Sequence, residues 1–341
     1  MPRARMPSRS CPAGVGDLLS TYRQSGVDLE GADRHISAIS PLVRATWSEL
    51  VVGDFGGFAT GVAIPPGYRQ PVLMLTTDGV GTKLELARIS GRWKGVGFDL
   101  VAMVVDDLAA AGATPIGLVD YMAVGALDPD RDTAIVASIA TACREAGCAL
   151  LGGETAEHPR VMMTDQVDLA ATALGVVERG AQLGPERVRA GDVVIGLRSP
   201  NLRSNGFSLV RSVFGGSIDD LFENRPLGEW LLEPSVIYAP AVLRAVATGQ
   251  VHAAAHITGG GMIANLARVI PHGWRAHIDH SAWKPPAVFE MVMDRGKIPI
   301  EEMRATFNMG IGFCLIVDPD EAQHLIELCG HDALIIGETG P

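Results

Sequence analysis

The sequence predicts a two-domain protein of mixed helix and strand, and pattern alone leaves α/β and α+β both open. Three observations carry this. The chain has 341 residues, enough for two ordinary domains. Short apolar strand-like runs and helix-like segments occur together in both halves. A stretch rich in polar residues, glycine and proline, about Glu178 to Gly191, interrupts the pattern near the middle. The expected organisation is a disordered, basic extension over residues 1–20, a first domain over 21–180 and a second over 181–341.

The elements follow in order. Pro71 to Thr77 reads as a buried strand running into the polar turn Asp78-Gly79-Val80-Gly81-Thr82-Lys83. Phe98 to Ala111 carries apolar residues on nearly every face, so it is a buried helix, with Gly112 as its stop. Ile116 to Val124 is a strand. Asp132 to Ala146 is an amphipathic helix with Ile135, Ile139, Ala142, Cys143 and Ala146 as its apolar stripe. Cys148 to Leu151 is a short strand entering Gly152-Gly153-Glu154-Thr155, and Val167 to Val177 is another. In the second half, Asp192 to Leu197 is a strand and Ser204 caps a helix ending at Phe214. Residues 215–233 form an irregular surface excursion. Gly261 to Ile270 is a helix, Ile311 to Val317 a strand, Asp318-Pro319 a helix start and Leu334 to Ile336 a last strand.

Composition excludes several classes. A net charge of −11 argues against nucleic-acid binding, which needs a basic face, but not against a nucleotide ligand held by local donors and a metal. No apolar run is long enough to span a membrane. Five cysteines without a Cys-x-x-Cys pair fit reduced thiols in a cytoplasmic protein rather than a disulfide framework or a zinc site.

Four features point to chemistry. Asp106-Asp107 sits inside an apolar helix, where carboxylates need a counter-charge: a divalent cation, a lysine or an arginine, unless that helix end is solvated. Asp78 follows a buried strand beside Gly79, Gly81, Thr82 and Lys83, a setting suited to magnesium and phosphate, although Asp-Gly turns are common. Glu154 also ends an apolar strand, and three acidic groups so placed resemble a metal–phosphate centre. His256-Ile257-Thr258-Gly259-Gly260-Gly261 opens a helix, where bare amides and the helix dipole favour an anion. Neither a Walker A sequence nor a dinucleotide fingerprint is present. The residues alone lead to a metal-assisted enzyme acting on phosphates.

Residues 76–87 (TTDGVGTKLELA), 97–115 (GFDLVAMVVDDLAAAGATP), 147–159 (GCALLGGETAEHP), 204–211 (SNGFSLVR), 256–271 (HITGGGMIANLARVIP) and 306–313 (TFNMGIGF) resemble, in order and spacing, the signature blocks of the phosphoribosylformylglycinamidine cyclo-ligase family. The resemblance implies an α+β, two-domain PurM-like fold, whose N-terminal sheets form a barrel at a homodimer interface and whose C-terminal domain is an α/β sandwich. It implies closure of the imidazole ring of 5-aminoimidazole ribonucleotide from formylglycinamidine ribonucleotide, using ATP and Mg2+. Asp78 and Asp107 would hold the metal. Lys83, Asp106, Glu154 and His256 would be catalytic, and Gly79, Gly81, Thr82 and Lys83 would bind ATP phosphates. Ser204, Asn205, Thr258, Gly259, Gly260 and Gly261 would bind the nucleotide substrate.

Two of the chain's departures from that pattern bear on the chemistry. Ser40 stands where the family has a lysine, and Arg203 precedes Ser204 where the family has histidine. Arginine there is a fixed cation instead of a group that exchanges protons near neutral pH. A specialised paralogue, a kinase-like relative and a degenerate nucleotide-binding homologue are the alternatives.

Overall fold

The computed structural model describes residues 29–215 and 217–341; the extension expected over residues 1–20 lies outside them. The first half runs α1 (Leu29–Arg44), a small hairpin of β1 (Val51–Val52) and β2 (Gly61–Val62), β3 (Pro71–Gly79), α2 (Lys83–Ser90), α3 (Val96–Ala110), β4 (Thr114–Val124), α4 (Pro129–Ala146), β5 (Ala149–Glu157) and β6 (Val167–Glu178). Its sheet has the order β3-β6-β4-β5. Only β4 and β5 pair in parallel. The sheet is open, with β3 and β5 as edges, and no closed barrel forms among the described residues.

Local chemistry explains these elements. Asp128 accepts from the amides of Asp130 and Arg131, Pro129 occupies the first turn and Gly147 closes α4 in the left-handed region. Helix α3 is buried along most of its length because it packs on the sheet on one side and on α4 on the other. The two helices meet at Gly97, where an added Cβ would lie 2.2 Å from Ile139 N. The opposite face of the sheet exposes Leu73, Leu75, Val119 and Tyr121.

The second half runs β7 (Val193–Arg198), α5 (Phe207–Phe214), a hairpin of β8 (Leu221–Phe222) and β9 (Arg225–Pro226), α6 (Leu227–Leu231), α7 (Ala239–Val246), β10 (Val251–His256), α8 (Gly261–Leu266), β11 (Arg275–Ile278), α9 (Ala287–Gly296), α10 (Ile300–Thr306), β12 (Ile311–Val317), α11 (Ala322–Cys329) and β13 (Leu334–Gly340). Its five strands, ordered β10-β12-β7-β13-β11, are antiparallel throughout, which decides for α+β. Alternation along β12 sends Phe313, Leu315 and Val317 into a core shared with α3, and Cys314 and Ile316 into a second core with Met262, Leu266 and Trp283. Both faces of this sheet are therefore covered.

Several expectations change. Strand β5 continues through Gly152, Gly153 and Glu154, because its pairing with β4 extends to Glu157. Ser204 does not cap a helix: α5 starts at Phe207 behind Gly206, whose φ of 76° suits glycine. The helix expected to reach Ile270 stops at Leu266, and the excursion at 215–233 contains a hairpin and a short helix.

Candidate active site

Helix α3 carries Asp106 and Asp107 to the seam between the halves, where it packs on α7 and β10. Asp107 keeps its side chain 39% exposed. Thr76 Oγ1 donates to its Oδ2 at 3.2 Å, and His256 Nδ1 lies 2.9 Å from its Oδ1. Burial opposes ionisation of Asp107, but the His256 and Thr76 contacts outweigh it and hold the carboxyl below the usual carboxylate range. His256 ends β10, and its ring stacks on Phe313 at 6.1 Å between centroids.

Asp106 has the counter-charge its setting demands, and it is Arg203. Arg203 Nη2 donates to Asp106 Oδ2 at 2.8 Å, with both side chains at 0% exposure. Asp106 Oδ1 accepts from the amides of Tyr238 and Ala239, so the carboxylate also caps α7. Saturated and shut from solvent, Asp106 does not fit the catalytic role expected for it. Lys83 needs the same correction. Its Nζ donates to Asp99 Oδ1 at 2.9 Å, to the Arg203 carbonyl at 3.0 Å and to the Glu233 carbonyl at 2.9 Å. Those contacts use all three ammonium hydrogens, leaving none for phosphate. Burial lowers the Lys83 pKa despite the opposing pull of Asp99.

The glycine block leaves β10 beside this seam. Gly260 and Gly261 take φ values of 92° and 66°, and a Cβ on Gly261 would stand 1.8 Å from the Arg304 carbonyl oxygen. The Gly259 amide donates to Asn205 Oδ1 at 3.0 Å and the Gly261 amide to the Thr258 carbonyl at 3.2 Å. Two of the three glycine amides are thus engaged within the protein, and α8 is shorter than expected. Asn265, which sequence reasoning missed, pins the loop through Nδ2 to the carbonyls of Gly261, Thr258 and Gly259. Ser204 Oγ is buried with no partner among the described residues, so its hydroxyl keeps spare hydrogen-bonding capacity.

Asp78 lies at the end of β3, exposed, with Oδ1 accepting from the Gly79 amide at 2.7 Å. It is two residues along the strand from Thr76, on the face that α3 covers. Gly81 takes φ 71° before α2, and Thr82 Oγ1 meets Ser208 Oγ at 3.3 Å. Glu154 is not brought to this cluster. The register Asp78–Ala171–Asp120–Gly153 crosses three strand spacings, roughly 14 Å. Pairing with Tyr121 turns Glu154 to the other face of the sheet. No group of three His, Cys, Asp or Glu residues able to hold a metal occurs among the described residues. The three-acid centre is therefore two carboxylates and a distant third.

Glu154 instead lines a cleft of about 480 Å3 under the loop Phe55–Thr60, with His35, Thr155 and Asp120. Asp120 is a second residue that sequence reasoning missed. Burial pushes its carboxyl up to about 7, against the partial relief of a backbone amide. A Cβ on Gly153 would lie 2.2 Å from Asp120 Oδ1, so the glycine there makes room for the carboxylate. The signal was a lone Asp within the apolar run of β4.

Two α+β halves meeting at an acidic helix and a glycine loop define a two-domain protein of the AIR synthase type. The chain belongs to that family: residues 64–177 match AIR synthase related protein, N-terminal domain, and residues 189–341 match its C-terminal domain. A phosphoribosylformylglycinamidine cyclo-ligase of Pseudothermotoga lettingae is 43% identical over 94% of this chain and 97% of its own length. One from Sorangium cellulosum is 44% identical over 94% of this chain and 95% of its own. Among solved structures, thiamine-monophosphate kinase from Stenotrophomonas maltophilia superposes with a TM-score of 0.65 at 21% identity, covering 89% of this chain and 93% of its own. The hydrogenase maturation protein HypE in complex with ATP gives 0.65 at 19%, covering 92% and 88%. At such identities these two show the fold alone. No helix among the described residues is long and apolar enough to cross a membrane.

Proposed function

We propose that this chain closes the imidazole ring of 5-aminoimidazole ribonucleotide from formylglycinamidine ribonucleotide, consuming ATP and releasing ADP and phosphate. Cyclo-ligase relatives match nearly end to end. The observation that carries the reading is the 2.9 Å contact of His256 Nδ1 with Asp107. It joins the acidic block of the first half to the glycine block of the second, so that a nucleotide phosphate and an ATP phosphate can meet at one seam. Catalysis of this kind needs positioned groups and offset charge more than covalent help from the protein.

Asp78 and Asp107 suit magnesium, which takes one or two carboxylates and fills its shell with water and phosphate oxygens. Both are open to solvent: Asp78 is exposed and Asp107 keeps 39% of its side chain exposed. The ion would neutralise phosphate charge there. Gly79, Gly81 and Thr82 form the turn facing ATP phosphates, and Ser204, Asn205, Thr258, Gly259 and Gly260 the wall facing substrate, with Gly261 holding the loop's bend. ATP converts the formyl oxygen into a phosphate leaving group, and the amidine nitrogen then attacks that carbon. Glu154 belongs to the cleft beneath the Phe55–Thr60 loop and acts on a more distant part of the nucleotide. The reading also includes a cytoplasmic homodimer, formed through the apolar sheet face of Leu73, Leu75, Val119 and Tyr121, with domains dividing near residue 180. Arg203 favours one second reading, a paralogue tuned to a related formamido nucleotide, because a buried arginine cannot replace a histidine in proton transfer.

The test is a time course with formylglycinamidine ribonucleotide, ATP and magnesium. Equal, sustained formation of aminoimidazole ribonucleotide and ADP upholds the proposal; ATP binding without product removes it.

A further inference from the structure

Arg203 has a second contact that its ion pair does not explain. The same Nη2 that meets Asp106 lies 3.0 Å from Nε2 of His256. A guanidinium carries donors only, so Nε2 must accept, and the ring hydrogen sits on Nδ1, where it is given to Asp107 Oδ1. The chain of contacts is continuous from Tyr238 and Ala239 amides through Asp106, Arg203 and His256 to Asp107 and Thr76.

Arg203 is held so that it cannot turn away. Nη1 donates to the Val236 carbonyl at 2.9 Å, its backbone amide to Asn201 Oδ1 at 2.9 Å, and its guanidinium lies 4.8 Å above the Tyr238 ring. Its φ of 57° is a left-handed conformation that costs a non-glycine residue about 1 kcal/mol. Phe313 fixes the plane of the His256 ring by stacking. Packing thus sets the ring's orientation, and the position of its hydrogen is set from both sides, by the Arg203 donor at Nε2 and the Asp107 acceptor at Nδ1. A lysine could neutralise Asp106, but it lacks the rigid plane by which Nη1 is tied to the Val236 carbonyl while Nη2 faces Asp106 and His256.

We propose that Arg203 is a positioning residue: bridging Asp106 and His256, it locks the His256 ring with hydrogen on Nδ1 and thereby fixes Asp107 at the seam. Its consequence for turnover rests on the cyclo-ligase reading; its geometry does not. The test has two arms. Long-range 1H–15N spectra of protein with labelled histidine report the tautomer directly, with the His256 signals assigned by their loss in His256→Gln. The wild type should show hydrogen on Nδ1, and Arg203→Lys, which keeps a donor but loses its fixed planar geometry, should let the Nε2 form become detectable. Kinetically, Arg203→Lys should lower kcat about 10- to 100-fold, while KM for formylglycinamidine ribonucleotide stays within about twofold. The double variant Arg203→Lys/His256→Gln should be no slower than His256→Gln alone, because the two residues act as a unit. Hydrogen on Nε2 in the wild type overturns the proposal even if Arg203→Lys does not fold, and so do multiplicative losses in the double variant. Hydrogen on Nδ1 without any turnover of that substrate upholds the positioning and overturns the substrate assignment.

Discussion

Lys83 Nζ stands 2.8 Å from Asp99 Oδ2, with 1% and 0% of the two side chains exposed. Ser235 adds its amide and hydroxyl to Asp99 Oδ1, and the Phe207 ring lies 5.3 Å from Nζ. This pair ties the start of α2 to α3 and, through the Arg203 and Glu233 carbonyls, to the second half. Removing the lysine leaves a buried carboxylate without its partner. Lys83→Met should therefore cost about 3–5 kcal/mol in urea unfolding, with Lys83→Met/Asp99→Leu recovering much of it. Unchanged stability together with a raised KM for ATP would return Lys83 to the phosphate site.

Asp107 is the carboxylate at the seam that retains exposure. Asp107→Ala should lower magnesium-dependent ADP formation by at least about 100-fold, while far-UV circular dichroism stays that of the wild type. Wild-type turnover in this variant would remove the metal assignment.

Gly261 separates backbone demand from substrate contact. An added methyl meets the Arg304 carbonyl oxygen at 1.8 Å, at a φ of 66°. Gly261→Ala should thus destabilise by about 2–4 kcal/mol, the sum of overpacking and left-handed strain. Gly260→Val acts on the exposed side of the same loop and should weaken substrate binding in calorimetry, since a side chain there blocks close approach and strains a backbone held at φ 92°. An unchanged Kd would count against an anion cradle.

Asp120 gives stability a pH dependence of definite sign. Its folded pKa, about 7, is raised above that of an unfolded aspartate. The folded state then binds more protons, and stability falls as pH rises from about 4 through about 7. Asp120→Asn should be more stable than wild type at pH 8, with the advantage shrinking toward pH 4. Unfolding curves of the two proteins that stay parallel across this range would show that Asp120 does not titrate there.

Single elements were legible where apolar runs were long, while the choice between α/β and α+β was not. The apolar stretch around Val101 to Val105 marks α3 and the apolar run Val167 to Val177 marks β6, whose pairing with both neighbours only the structure shows. Glycine misled the reading in both directions. Gly152 and Gly153 end no strand, since the pairing with β4 runs on to Glu157, and Gly153 leaves the space that the Asp120 side chain fills. Helix α1 escaped notice because Pro41 interrupts its pattern. At the site, the need for a cation opposite Asp106 was readable from burial alone, but its source was not. Arg203 lies 97 residues away, and only the packing of α7 and the second sheet against α3 brings it there. Lys83 failed for the same reason: its neighbours along the chain suggest phosphate, while its partners in space are carboxylate and carbonyls.

The most direct measurement follows one oxygen atom. Formylglycinamidine ribonucleotide labelled with 18O at the formyl group would be turned over with ATP and magnesium, and the released inorganic phosphate examined by mass spectrometry. Activation of the formyl oxygen followed by ring closure at the seam predicts one 18O per phosphate, formed in step with aminoimidazole ribonucleotide. Unlabelled phosphate, or ATP consumption with no ring-closed product, would contradict the account.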